Sequence, residues 1–200
     1  MDNSDVIFHY DSLINENNDP VRDPKPLRDY MDKWDGQPFF DSMQLSAEKT
    51  VLEIGVGTGR LAVRTAPLCN RLVGIDISPI TIKRAEENLS EYKNISLICD
   101  DFLEHKFEEK FDIIYSSLTF MHIEDKEQAI KKVSDLLKSE GLFVLSTDKN
   151  PSDVIDIGIR KINIYPDTVD NIIMGIKNSG LILKKQFETE FGNIFVAGKI

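Results

Sequence analysis

Two hundred residues, 41% hydrophobic and 29% charged, suit one soluble domain with a sizeable core. Asp and Glu outnumber Lys and Arg by 34 to 24, and the formal charge of −10, with no basic tract, argues against a nucleic-acid partner. Cys69 and Cys99 lack CxxC spacing, the start of the chain does not read as a signal peptide, and no apolar run of about 18 residues occurs, so the expectation is a cytoplasmic protein without a membrane span, a disulfide framework or a zinc site.

Residues 1–46 are of mixed polarity, interrupted by Pro20, Pro24, Pro26, Pro38 and the run Asn15-Glu16-Asn17-Asn18-Asp19. Short helices are expected near 26–34 and 37–45, across the ligand end of a sheet. The aromatics Tyr10, Tyr30 and Trp34 suit either an arm packed on that sheet or a lid that meets a substrate.

From Thr50 onward strands and helices alternate. The apolar run Val51 to Ile54 reads as a buried strand, and Gly55, Gly57 and Gly59 form a loop that leads into a helix carrying Leu61, Ala62, Thr65 and Ala66. A second strand spans Arg71 to Asp76. Ser78 and Pro79 then start a helix with Ile82, Ala85 and Leu89 inward, since a proline in the first turn forfeits no helical hydrogen bond. Ile95 to Cys99 is a third strand, ending at Asp100-Asp101-Phe102. Phe111 to Tyr115 is a fourth, followed by a loop from Ser116 to His122 and a helix that Gly141 is expected to stop.

Leu142 to Thr147 makes a fifth strand. A polar connection, a short turn of helix or strand between Asp153 and Tyr165 and a helix from about 167 to 179 come next. The last two strands, Leu181 to Glu188 and Asn193 to Lys199, are joined by a short turn and should pair antiparallel. The prediction is a doubly wound, mainly parallel α/β sheet of seven strands with a C-terminal antiparallel strand and an N-terminal helical arm. It forms a single domain, 1–200, divided into an arm or lid (1–46) and a Rossmann-like core (47–200). Ligands of such sheets sit at the carboxyl ends of the strands, which places Gly55–Gly59, Asp76, Asp100–Phe102 and Ser116–His122 in one cleft.

Glycines at alternate positions allow a tight turn and close approach to a ligand. Asp76 ends the next strand, where a carboxylate can accept both hydroxyls of a ribose. A dinucleotide fingerprint needs its third glycine at position 60, and that residue is Arg60, which disfavours a nicotinamide cofactor. Three scattered histidines give no metal-ligand pattern, so no metal is expected.

Over about residues 50 to 147 the chain resembles the class I, Rossmann-like methyltransferases that use S-adenosylmethionine, of the small-molecule type. The resemblance implies that Glu53, with Gly55, Gly57 and Gly59, meets the methionine part of the cofactor. It further implies that Asp76 holds the ribose, that Ile77 lies against the adenine, and that Asp101 or Asp100, followed by Phe102, accepts from the adenine amino group. Ser116 and Ser117 would touch the cofactor mainly through backbone groups. His122 falls where many small-molecule members carry a histidine, and it reads either as a general base or as a structural histidine that holds its loop. The implied reaction is methyl transfer to an oxygen or nitrogen atom of a small molecule, leaving S-adenosylhomocysteine. The alternative is a non-catalytic cofactor-binding or regulatory protein of the same fold. Tyr115-Ser116-Ser117-Leu118 departs from the Asn-Pro-Pro-Tyr type loop of amino-methylating nucleic-acid enzymes. The sequence leaves open the acceptor and the oligomeric state.

Overall fold

A computed structural model describes residues 3–200. Its centre is a seven-stranded sheet built from β1 (Thr50–Ile54), β2 (Arg71–Asp76), β3 (Ile95–Cys99), β4 (Phe111–Ser117), β5 (Leu137–Asp148), β8 (Ile182–Glu188) and β9 (Gly192–Gly198), in the order β3-β2-β1-β4-β5-β9-β8. Strands β1 to β5 run parallel, while β9 pairs antiparallel with both β5 and β8. The strand order reverses its direction at β1 and β4, which leaves a crevice at their carboxyl ends.

Alternation along the central strands divides their side chains between two cores. Leu52 and Ile54 of β1 join Val73, Ile75 and Phe143 on one face, covered by α6 (Lys126–Leu136) and α7 (Val169–Asn178). Val51 points the other way, toward α3 (Gly36–Met43), α4 (Ala62–Thr65) and α5 (Pro79–Asn88). Helix starts follow the local chemistry. The Ser78 hydroxyl accepts from Thr81 N ahead of Pro79, and the Asp125 carboxylate accepts from Gln128 N at the start of α6.

Two local expectations need correction. The N-terminal arm opens with a helix, α1 (Ser4–Asn15), where no helix was expected, and it continues into α2 (Lys25–Met31) and α3. Val6, Tyr10, Leu13 and Ile14 recur at helical spacing along α1, but this stripe faces a cavity rather than the sheet. Gly141 does not stop α6. That helix ends at Leu136, and Leu137, fully buried, pairs with Phe111 as the first residue of β5. Gly141 lies inside the strand, where a Cβ would sit 2.9 Å from Lys138 O and 3.2 Å from Asp112 O. The short element expected between Asp153 and Tyr165 is there, as a separate hairpin of β6 (Val154–Asp156) and β7 (Lys161–Asn163). No helix among the described residues is long and apolar enough to cross a membrane.

Candidate functional site

The crevice at the carboxyl ends of β1, β2 and β4 is a cavity of about 570 Å³, roofed by α1. Gly55 lies at φ +75°, a region open to glycine, and a Cβ there would overlap the Thr119 side chain. Gly57, at φ +55°, has open space within 4 Å of where a Cβ would be, so the bare backbone faces the cavity. Gly59 does not line the cavity. At φ +98° it packs the loop onto α5, with Leu89 atoms 3.0 Å to 3.2 Å from a notional Cβ.

Glu53, next to the last residue of β1, lies at the cavity wall with 3% of its surface exposed. The Tyr115 hydroxyl, fully buried on β4, donates to Glu53 Oε2 at 2.6 Å. Burial nonetheless pushes the Glu53 carboxyl up to about 8, against the stabilising hydroxyl and the nearby Arg60 charge. Asp76 accepts from Gly57 N at 2.9 Å and Ser78 N at 3.0 Å. Its carboxyl is also raised, first by burial, with the Asp11 carboxylate adding to the effect. Asp11 belongs to α1, and its Oδ1 accepts from Ser78 Oγ and Ile80 N, so the roof is tied to the start of α5 beside the Asp76 carboxylate.

Asp100, Asp101, Phe102 and Ile77 all line the cavity. Asp100 pairs with His105 at 2.8 Å, whereas Asp101 accepts from Leu103 N and from Asn3 Nδ2 just ahead of α1. Ser117 lines the cavity and donates to Asp35 Oδ2 at 2.7 Å. Ser116 does not, because strand alternation turns its hydroxyl inward to Ile54 O at 2.8 Å. The following Leu118 is held at φ +57°, a strained conformation for a leucine, and lies in the cavity wall.

His122 and Tyr10 meet across the cavity, with Tyr10 Oη 2.7 Å from His122 Nε2. Burial and the charges of His9 and Lys126 push the His122 imidazole down to about 4, so it is neutral near pH 7. Its Nδ1 is buried without a partner. The loop that carries it is cinched by Lys126, whose ammonium donates to Phe120 O, Ile123 O and Tyr165 O and pairs with Asp167 at 3.0 Å. Tyr30 and Trp34 lie outside the cavity wall. They pack with Phe191 at the β8–β9 turn, and Tyr30 is 47% exposed.

Sequence reasoning treated Arg60 only as a missing glycine. It lines the cavity, forms a two-pronged ion pair with the fully buried Asp35 and approaches Asp32 at 3.5 Å. Asp35 and Asp11 had no motif to mark them, because they lie in the irregular arm and act by contact across more than forty positions; Tyr115 and Thr119 lay within the Phe111–His122 stretch but were not singled out. Among the described residues, no group of three or more His, Cys, Asp or Glu is placed to hold a metal ion.

A buried carboxylate beside a bare glycine backbone, with a second carboxylate at the end of the neighbouring strand, fits a cofactor that brings an ammonium and a ribose. Residues 45–187 match the family model described as a methyltransferase domain. A malonyl-[acyl-carrier protein] O-methyltransferase of Priestia megaterium is 35% identical over 108 residues, which is 52% of this chain and 38% of the relative. A methyltransferase of Staphylococcus carnosus, itself uncharacterized, is 32% identical over 141 residues, 69% of this chain and 62% of the relative. The matches to the malonyl-[acyl-carrier protein] enzymes thus span about two fifths of those proteins. Among solved structures, the N-methyltransferase NodS of Bradyrhizobium japonicum in complex with S-adenosyl-L-homocysteine superposes with a TM-score of 0.67 at 22% identity, covering 95% of this chain and 97% of NodS. A SAM-dependent methyltransferase of Aquifex aeolicus gives 0.72 at 16% identity, covering 95% and 98%. With the family match running from the residues before β1 into β8, the chain belongs to the class I S-adenosylmethionine-dependent methyltransferases.

Proposed function

We propose that the chain is a single-domain, cytoplasmic enzyme that moves a methyl group from S-adenosylmethionine to an oxygen or nitrogen atom of a small molecule. The observation that carries this reading is the convergence of Glu53, the Gly55–Gly57 backbone and Asp76 on one roofed cavity. Glu53 would receive the α-ammonium of the cofactor, Asp76 the ribose hydroxyls, Ile77 and Phe102 the adenine faces, and Asp101 or Asp100 its amino group. Gly55 and Gly57 leave the room that the methionine part needs.

The bound cofactor supplies an electrophilic methyl on a sulfonium. An acceptor that took that methyl would have to give up a proton. The chain's own work is to orient the acceptor, exclude water and receive that proton. The α1 roof serves the exclusion. Tyr10 and His122 form the hydrogen-bonding pair that would face the acceptor, and the neutral imidazole can take a proton through the tyrosine hydroxyl. Tyr30 and Trp34 act more remotely, by docking the arm on the β8–β9 turn.

Calorimetric titration with S-adenosylhomocysteine tests the cofactor assignment. Micromolar binding that Asp76→Ala weakens is expected; no binding by the intact chain would overturn it. Transfer of labelled methyl groups into components of a cell extract tests turnover.

A further inference from the structure

The position ahead of a helix suits asparagine, because its side-chain oxygen can accept from the unpaired N–H groups of the first turn. Asn3 stands there before α1 and makes no such bond. Its side chain lies in the cavity wall instead, and Nδ2 donates to Asp101 Oδ2 at 2.6 Å. An amide nitrogen carries two hydrogens, and this bond uses one of them. Asp101 has capacity to spare as well: a carboxylate offers about four acceptor positions, of which Leu103 N takes one at 2.6 Å and Asn3 another. Asp100, by contrast, is exposed and pairs within its own turn, with Asp101 N and His105. Elsewhere the roof is tied to α5, through Asp11 and through Asp19, which is 2% exposed and accepts from Asn88 at 3.1 Å and Arg84 at 3.2 Å. The Asn3–Asp101 bond closes its other end, just beyond β3. A side chain suited to capping its own helix is thus spent on the cavity.

Adenine presents the N–H donors of its 6-amino group next to N1, a ring nitrogen that accepts. Resting on the methyltransferase reading, with Asp101 as the acid that meets the adenine, we propose that Asn3 is a further cofactor-binding residue, supplied by the roof. Asp101 Oδ2 accepts from the adenine amino group and from Asn3 Nδ2, and the second Nδ2 hydrogen goes to adenine N1. Amino group, carboxylate, amide and ring nitrogen then form a closed ring of hydrogen bonds in which Asp101 orients the amide that meets N1. The adenine end of the site is complete only when α1 is down, so the arm serves the cofactor as well as the acceptor.

Two ligands and two proteins make the test: S-adenosylhomocysteine and its 1-deaza analogue, in which C–H replaces adenine N1, each titrated into the full chain, with no residues added ahead of Met1, and into Asn3→Ala. In the parent, loss of N1 should weaken binding roughly two- to tenfold, the scale of one hydrogen bond. Asn3→Ala should weaken S-adenosylhomocysteine by a similar factor. On that variant the analogue should lose nothing further, because the partner of N1 is already gone. Binding of S-adenosylhomocysteine to Asn3→Ala as tightly as to the parent, or more tightly, would overturn the proposal, since Asn3 would then only occupy Asp101 until the cofactor arrives. Equal binding of the two ligands by the parent would overturn it too, and so would losses that simply multiply, which would put the action of Asn3 away from N1. Failure of S-adenosylhomocysteine to bind the parent would instead remove the methyltransferase reading on which the proposal rests.

Discussion

Replacing Glu53 by glutamine keeps the shape of the side chain and removes its titration. In the folded protein the carboxyl is raised from an ordinary 4.5 to about 8. A raised value means that the folded state holds the proton more tightly than the unfolded chain. The stabilisation is therefore complete below pH 4.5 and is lost as the pH climbs through 8. In that window the loss runs at about 1.4 kcal/mol per pH unit, or about 2 kcal/mol between pH 6 and pH 8 once partial ionisation near the upper end is included. The cause is local: the carboxyl is sealed near the end of β1 with the Tyr115 hydroxyl as its close donor. Glu53→Gln can accept that same hydrogen bond and carries no charge at any pH. Guanidinium denaturation of both proteins at several pH values provides the comparison. Asp76, also raised, is present in both proteins. The variant should gain about 2 kcal/mol on the parent between pH 6 and pH 8, while binding S-adenosylhomocysteine less well. Parallel stability curves across that range would refute the account of a carboxyl kept neutral by burial.

Cofactor binding to the parent should release close to one proton per site near pH 7, as an ammonium drives Glu53 into its ionised form; calorimetry in buffers of different ionisation enthalpy reads that number, and it should vanish in Glu53→Gln. Asp76→Ala removes an acceptor already organised by Gly57 N and Ser78 N and should weaken S-adenosylhomocysteine by about 1.5 to 3 kcal/mol, roughly ten- to a hundredfold, measured by titration. Lys126→Met leaves the buried Asp167 and three carbonyls without their shared ammonium and should cost about 3 to 5 kcal/mol in thermal or denaturant unfolding. Tyr10→Phe should lower turnover more than cofactor affinity, and its effect should persist from pH 6 to pH 8 because His122 stays neutral throughout.

The parallel sheet was readable because each of its strands is a short apolar run closed by a turn or an acid, and burial on both faces demands such runs. Glu53 and Asp76 were readable for the same reason: a charged residue at the end of a buried strand stands out. The arm was not. Val6, Tyr10, Leu13 and Ile14 do recur at helical spacing, but they line a cavity and are diluted by the polar residues that tie α1 to α5. Gly141 was misread because its requirement comes from the carbonyls of Lys138 in its own strand and Asp112 in the neighbouring one, not from a helix end. The Arg60–Asp35–Ser117 cluster joins three distant stretches, and no local pattern announces it.

Trp34 is the chain's single tryptophan, and its ring centroid lies 4.9 Å from that of Phe191 where the arm meets the β8–β9 turn. Indole emission therefore reports on one junction, while circular dichroism reports on the whole sheet. If the arm lifts before the sheet melts, the fluorescence transition will come at lower denaturant than the dichroism transition. If arm and sheet cooperate, the two will coincide. The molecule thus carries its own optical probe of whether the roof over the cavity opens independently.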